Sequence, residues 1–477
     1  MTELKVLPAS FSRRGFLAKC AGTAACAACS RVWSGSQAVA AADAPSLLPK
    51  DKAKVRLVFT HPDPKLEGWP YKGYDYEGRK AKYAQKLRDA CPGIEFLVET
   101  ATTEAEAKRI LERDSEVDGY VDYLFGIPNA ATPTLAYSGR PTLIVDDLYG
   151  GTGTFLGIYP KARAKGMPVA GVSSSRFDDI AQAANAFAAI KKMRASTILD
   201  TTPRDLTNDI ALFKQTLGTT IRPVSGEELN QAYESADRGE AQRWAKTWID
   251  QADRVLETNR PEIERSAAMY IGMKNLLARY SAQGIAVDCL RLFYAGKMSA
   301  YPCLGFFQLN NDGLVGACEA DIRSAASMLL ITYLSGRPGY ISDPVIDTSS
   351  NQIIYAHCVA PTKVFGPNGS TNPYEIRTHS EDRKGASIRS LLPLGEMTTT
   401  LMLVPQQKLV VMHRATTVAN IEEDRACRTK VAAEVQDARK LMTEWDFGWH
   451  RVTVYGDLKD QVETVSSLMG LKVVHEG

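Results

Sequence analysis

Net charge is almost absent from this chain: 57 Lys and Arg stand against 55 Asp and Glu, leaving +2 with neutral histidines. No basic stripe interleaved with aromatics is found either, so electrostatics supply no case for nucleic acid or an anionic membrane as a partner. Past the N-terminal segment there is no apolar run of about 18 residues, the length a membrane-spanning helix needs. There is no internal repeat. A complete G-x-G-x-x-G fingerprint, a G-x-S-x-G elbow and a convincing Ser/His/Asp set are all missing, which removes the usual marks of dinucleotide binding and serine hydrolysis. Gly150-Gly151-Thr152-Gly153 is too incomplete to be read as more than a turn. Of the nine cysteines, three fall in the first 30 residues. The other six, Cys91, Cys289, Cys303, Cys318, Cys358 and Cys427, are spaced too widely for a disulfide framework and are read as free buried thiols. A zinc set of Cys303, Cys318, Cys358 and His357 is the weaker alternative, since finger-like pairing is missing.

What is present begins at the N-terminus. Ser12-Arg13-Arg14-Gly15-Phe16-Leu17-Ala18-Lys19 is a twin-arginine signature. A short small-residue apolar stretch follows to Ser30, then Ala38-Val39-Ala40, a cleavage pattern. The order of these parts predicts a removable leader over 1–42, a twin-arginine translocase as partner, and a periplasmic or secreted mature protein.

The remaining length is ample for two to four domains. From Val55 to Asp200, short β runs alternate with helical segments, the pattern of βαβ units and a parallel sheet. The fold expected is α/β, with Rossmann-like or flavodoxin-like domains over 50–174 and 175–300. A long helical region over Gly226–Gln283 should break near Asn259-Arg260-Pro261. After Gly296 the texture changes. Cys318 to Ser335 reads as one amphipathic helix ended by Gly336. Short strands follow, predicting a mixed α+β domain over 301–477 with antiparallel strands.

Three residues at element ends attract attention: Glu319 at the start of that helix, Asp343 at the end of a short strand, and His450 just before another. Carboxylates and imidazole together suit a Mn²⁺-type ion. Composition alone does not select them, because acidic residues at helix starts are commonly dipole partners. His61, His379 and His413 are read as ordinary packed or exposed histidines.

The motifs in order are more specific than any one of them. Tyr301-Pro302-Cys303-Leu304-Gly305-Phe306, Leu309-Asn310-Asn311-Asp312-Gly313 and Cys318-Glu319-Ala320-Asp321-Ile322 are followed by Tyr340-Ile341-Ser342-Asp343 and Tyr355-Ala356-His357-Cys358. The series closes with Trp449-His450-Arg451-Val452-Thr453-Val454-Tyr455-Gly456-Asp457 and Gly470-Leu471. From about Pro261 onward this series resembles the L-fucose/L-arabinose isomerase family. The resemblance implies Glu319, Asp343 and His450 as ligands of Mn²⁺ or another divalent ion. It implies Glu319 and Asp343 as the proton-transfer groups, and His357 as a further substrate-binding histidine. It also implies interconversion of an unphosphorylated aldose and its ketose through an enediol, in a trimer or hexamer. Two features depart from the family: the export signal, and Ala320 where many relatives carry Gly. A second reading is an exported, non-catalytic carbohydrate-binding homologue.

Overall fold

The computed structural model describes residues 47–477; the twin-arginine segment and its cleavage pattern lie outside them. The first sheet contains β1 (Ala53–Thr60), β2 (Ile94–Ala101), β3 (Gly119–Leu124), β4 (Thr142–Asp146) and β5 (Val169–Ser173), in the order β2-β1-β3-β4-β5. All its pairings are parallel, and the order is the flavodoxin-like one. Both faces of β3 and β4 are buried, as parallel strands covered by helices require. The helix Phe177–Ala195 falls in the span 175–300 expected to form the second domain. It lies instead against this sheet, where a Cβ on Gly119 would stand 2.3 Å from Phe187 Cε1.

The second sheet takes β6 (Thr197–Asp200) and β7 (Thr220–Pro223), skips a two-residue strand β8 (Arg254–Val255), then takes β9 (Gly284–Val287) and β10 (Val315–Cys318). Its order is β10-β9-β6-β7, again parallel. Its edge strand therefore comes from beyond residue 300, the boundary expected from sequence. The helical region over 226–283 divides into Gly226–Glu234, Arg238–Gln251 and Arg260–Arg279. The last begins at the anticipated break, with Asn259 accepting from Glu262 N as its cap and Pro261 in its first turn.

The C-terminal part is mostly antiparallel. It comprises β11 (Tyr340–Asp347), β12 (Gln352–His357), β13 (Tyr374–Arg377), β14 (Ser387–Ser390), β15 (Met397–Val404), β16 (Leu409–Asn420), β17 (Thr429–Val435), β18 (Arg451–Tyr455) and β19 (Lys472–His475). The order β15-β18-β11-β12-β17-β16 closes on itself because β15 also pairs with β16. Closure removes the free edges of the sheet. β13 and β14 leave this barrel-like sheet and join β8. Among the described residues, no helix is long and apolar enough to cross a membrane.

The segment expected as one helix over Cys318–Ser335 is two elements. Cys318 ends β10, and the helix runs Ile322–Ser335. Asp321 is its N-cap, accepting from Arg323 N and Ser324 N, and Gly336 ends it at φ +69°. The helix is buried on most sides rather than amphipathic, because it lies between the second sheet and the closed sheet.

Candidate metal centre

Three of the four residues singled out from sequence stand at or next to a strand end, and the fourth lies within a strand. Glu319 follows β10, at the carboxyl edge of the parallel sheet where ligands of open α/β folds bind. Its turn is held by Ala320 N donating to Val287 O at 2.9 Å. Glu319 and Ala320 have φ of +58° and +50°, a left-handed conformation that costs a non-glycine residue about 1–2 kcal/mol. Glycine is relieved of that cost, which explains why Gly suits position 320. Asp343 lies within β11, paired with Ala356, and not at the end of a short strand. His357 is the last residue of β12, and His450 directly precedes β18.

The four meet at one point. One donor atom from each of Glu319, Asp343, His357 and His450 lies within 4.8 Å of the others. His450 Nε2 is 3.2 Å from Asp343 Oδ1 and 3.5 Å from Glu319 Oε2. His357 Nε2 is 3.9 Å from Glu319 Oε1. Both histidines are buried, and neither Nε2 has a hydrogen-bond partner. An unpartnered polar atom in the interior is costly, so both are aimed at something the protein chain does not supply.

Hydrogen bonding separates the two rings. His450 Nδ1 sits 3.0 Å from Asp321 Oδ2. A carboxylate only accepts, so Nδ1 carries the proton, and Nε2 of the neutral ring keeps its lone pair for a metal. His357 Nδ1 accepts from Cys358 N at 3.0 Å. A backbone N–H only donates, so in neutral His357 the proton is on Nε2, which is then a donor and not a ligand. The arrangement offers two carboxylates and one imidazole to a cation, with an N–H donor beside them.

The electrostatics agree with this division. Burial alone would depress the His450 imidazolium. The bond to Asp321 and the facing carboxylates of Asp343 and Glu319 outweigh burial and push its pKa up to about 11. Burial alone would raise the carboxyls of Glu319 and Asp343, but the facing imidazoles hold them below their ordinary values. Asp321, also favoured by the Ser324 amide and hydroxyl, is held at about 2 against its burial. So much negative charge around one buried point favours a cation, and a divalent ion would take the place of the His450 proton.

Asp321 was not assigned a role from sequence, although an Asp just before an apolar helical run is a cap signal. Two further contacts had no local signal. The guanidinium of Arg451 donates to the carbonyls of Asp446, Gly448 and His450, so it holds the loop that presents His450. That guanidinium is in turn fixed by Glu476 through two bonds of 2.8 Å. Gly448, at φ +108°, lets the same loop pass Arg323, whose Nη2 would lie 2.3 Å from a Cβ.

The other candidates separate from this cluster. All six cysteines in the described residues are free thiols, and none joins a group of three or more metal-competent side chains there. The Gly150–Gly153 turn is shaped by packing: a Cβ on Gly151 would meet Leu124 at 2.1 Å, and Thr152 donates to the Asp146 carboxylate. His61 stacks on Tyr76, His379 faces Asp382, and His413 bridges Tyr355 and Glu476.

No family model matches the chain. It is similar to sulfoquinovose isomerases. The protein of that name from Alkalicoccus urumqiensis is 24% identical over 258 residues, covering 53% of this chain and 58% of the relative. The one from Priestia aryabhattai is 24% identical over 270 residues, covering 54% and 58%. A Clostridium relative gives 24% over 269 residues, with the same coverage. The match thus spans 58% of the relatives' own length. The similarity is thus to proteins named as isomerases of a sugar.

Proposed function

We propose that the protein is a divalent-metal-dependent aldose–ketose isomerase of an unphosphorylated sugar. The observation that carries this reading is the convergence of Glu319, Asp343 and His450 on one point, with His450 Nε2 buried and unpartnered. Oxygen ligands with one imidazole suit Mn²⁺. When bound, such an ion polarises a carbonyl and stabilises negative charge on neighbouring oxygens.

The chain's own residues do the rest. Moving one proton between C1 and C2 requires a base that takes it and an acid that returns it. Glu319 and Asp343 are partly exposed and ionised, so both are fit for these roles as well as for ligation. His357 Nε2–H donates to a substrate oxygen. Asp321 keeps the His450 ring in its ligating tautomer. The names of the relatives put sulfoquinovose first among sugars to test, with L-fucose and L-arabinose beside it. The leader motif extends the proposal to a periplasmic or secreted protein, and the family resemblance to a trimer or hexamer.

The test is elemental analysis of Mn²⁺-reconstituted protein, then incubation with a broad aldose panel in D₂O. NMR should show ketose and deuterium at C1 or C2. A protein that binds no divalent ion refutes the site. Bound metal with neither ketose nor exchange from any sugar overturns the enzyme in favour of a carbohydrate-binding protein.

A further inference from the structure

Trp449 has two properties that the ligand set does not use. Its indole N–H donates to Asp343 Oδ1 at 2.7 Å, yet its side chain belongs to a residue 59% exposed. The contrast with nearby Trp445 is informative. That indole donates within its own loop, to Gly448 O at 3.1 Å, and its face is covered by the Arg451 guanidinium at 4.0 Å. Trp445 is therefore consumed by the fold. The Trp449 face stands open to solvent beside a carboxylate of the metal cluster.

A hydrogen bond to a charged acceptor is stronger and more directional than a neutral one. Here it falls on Asp343 Oδ1, the oxygen that also faces His450 Nε2 at 3.2 Å. It occupies one lone pair of that oxygen and sets the plane of the carboxylate, as outer-shell partners of metal ligands do. The indole ring is anchored at Nε1 to one member of a cluster whose donor atoms span no more than 4.8 Å. It therefore stands beside the cluster with most of its surface open to solvent. A rigid surface with an apolar face and a polar edge matches a sugar, whose C–H face is apolar and whose rim is hydroxylated.

We infer, resting on the isomerase reading, that Trp449 is a positioning and specificity residue. Its N–H orients Asp343 for the ion, and its open face packs against the C–H face of a sugar bound there. The two roles come apart by substitution. Trp449→Phe keeps a ring and loses the N–H, whereas Trp449→Ala loses both. Because the side chain is exposed, both variants of the full mature chain should melt as wild type.

Mn²⁺ affinity is read by electron paramagnetic resonance without sugar. Binding of a panel of pentitols and hexitols to Mn²⁺-loaded protein is read by calorimetry, so neither measurement needs turnover. Both variants should bind Mn²⁺ about tenfold more weakly. Phe should retain the wild-type affinity for the sugar alcohols, and Ala should lose about tenfold. Wild-type Mn²⁺ affinity in Trp449→Phe overturns the positioning role. Wild-type sugar-alcohol affinity in Trp449→Ala, or no binding of the panel by Mn²⁺-loaded wild type, overturns the platform. A wild type without Mn²⁺ affinity refutes the metal site itself and the inference with it.

Discussion

His450 Nδ1 lies 3.0 Å from Asp321 Oδ2, and the same carboxylate caps the helix Ile322–Ser335 through the amides of Arg323 and Ser324. One side chain thus anchors a helix and fixes the tautomer of a proposed ligand. Its two duties separate in Asp321→Asn. The amide still offers an oxygen to the helix, so stability should fall by no more than about 1–2 kcal/mol. The carboxylate that orients His450 is gone, so Mn²⁺ affinity should fall about 10–100-fold. Thermal melts and a Mn²⁺ titration measure both; an unchanged titration refutes the orienting role.

His357→Gln should leave Mn²⁺ stoichiometry intact and lower kcat/KM about 10²–10³-fold, the usual cost of a donor that stabilises developing charge. Elemental analysis beside steady-state kinetics decides it. Loss of the metal would show that His357 is a fourth ligand.

Glu476 provides a pH dependence. Burial alone would raise its carboxyl, but hydrogen bonds from Arg451 and His413 hold it at about 2, below its ordinary 4.5. A depressed folded pKa contributes stability that is complete above the unfolded value. That contribution is lost as pH falls from about 4.5 towards 2 and amounts to about 3 kcal/mol. Acid titration of the melting temperature should show this loss, and Glu476→Gln should flatten it. A variant that melts in parallel with wild type from pH 6 to about pH 3 would contradict the assignment.

Replacing Arg13 and Arg14 together by Lys should strand the precursor in the cytoplasm, with cleavage near 40–42 abolished. Fractionation with N-terminal sequencing checks this; undiminished periplasmic recovery would contradict the leader.

Light scattering of the mature protein should give the mass of a trimer or hexamer. A strictly monomeric mass at working concentration would remove oligomerisation from the proposal.

The alternation of elements was legible because parallel strands are short apolar runs separated by helices. β4, Thr142–Asp146, is one of the short apolar runs that alternate with helical segments between Val55 and Asp200, and the break at Asn259-Arg260-Pro261 is where a cap residue and an early proline start a helix. The Cys318–Ser335 segment misled because its apolar residues continue at helical spacing through a strand end. Two left-handed residues, Glu319 and Ala320, make the corner, and neither is a glycine that would have marked it. The helix Phe177–Ala195 covers the first sheet although it falls past residue 174, because helical periodicity identifies a buried face but not the sheet that covers it.

By itself the sequence determined the residue types available for chemistry, the order of the motifs that carry them and the secondary structure of most segments. These follow from local spacing and side-chain chemistry. Only the tertiary structure decided that residues 319, 343, 357 and 450 share one point, because that depends on strand pairing between segments far apart in the chain. It alone separated His450 from His357, since the tautomer of each ring is set by what faces its other nitrogen: Asp321 in one case, the Cys358 amide in the other.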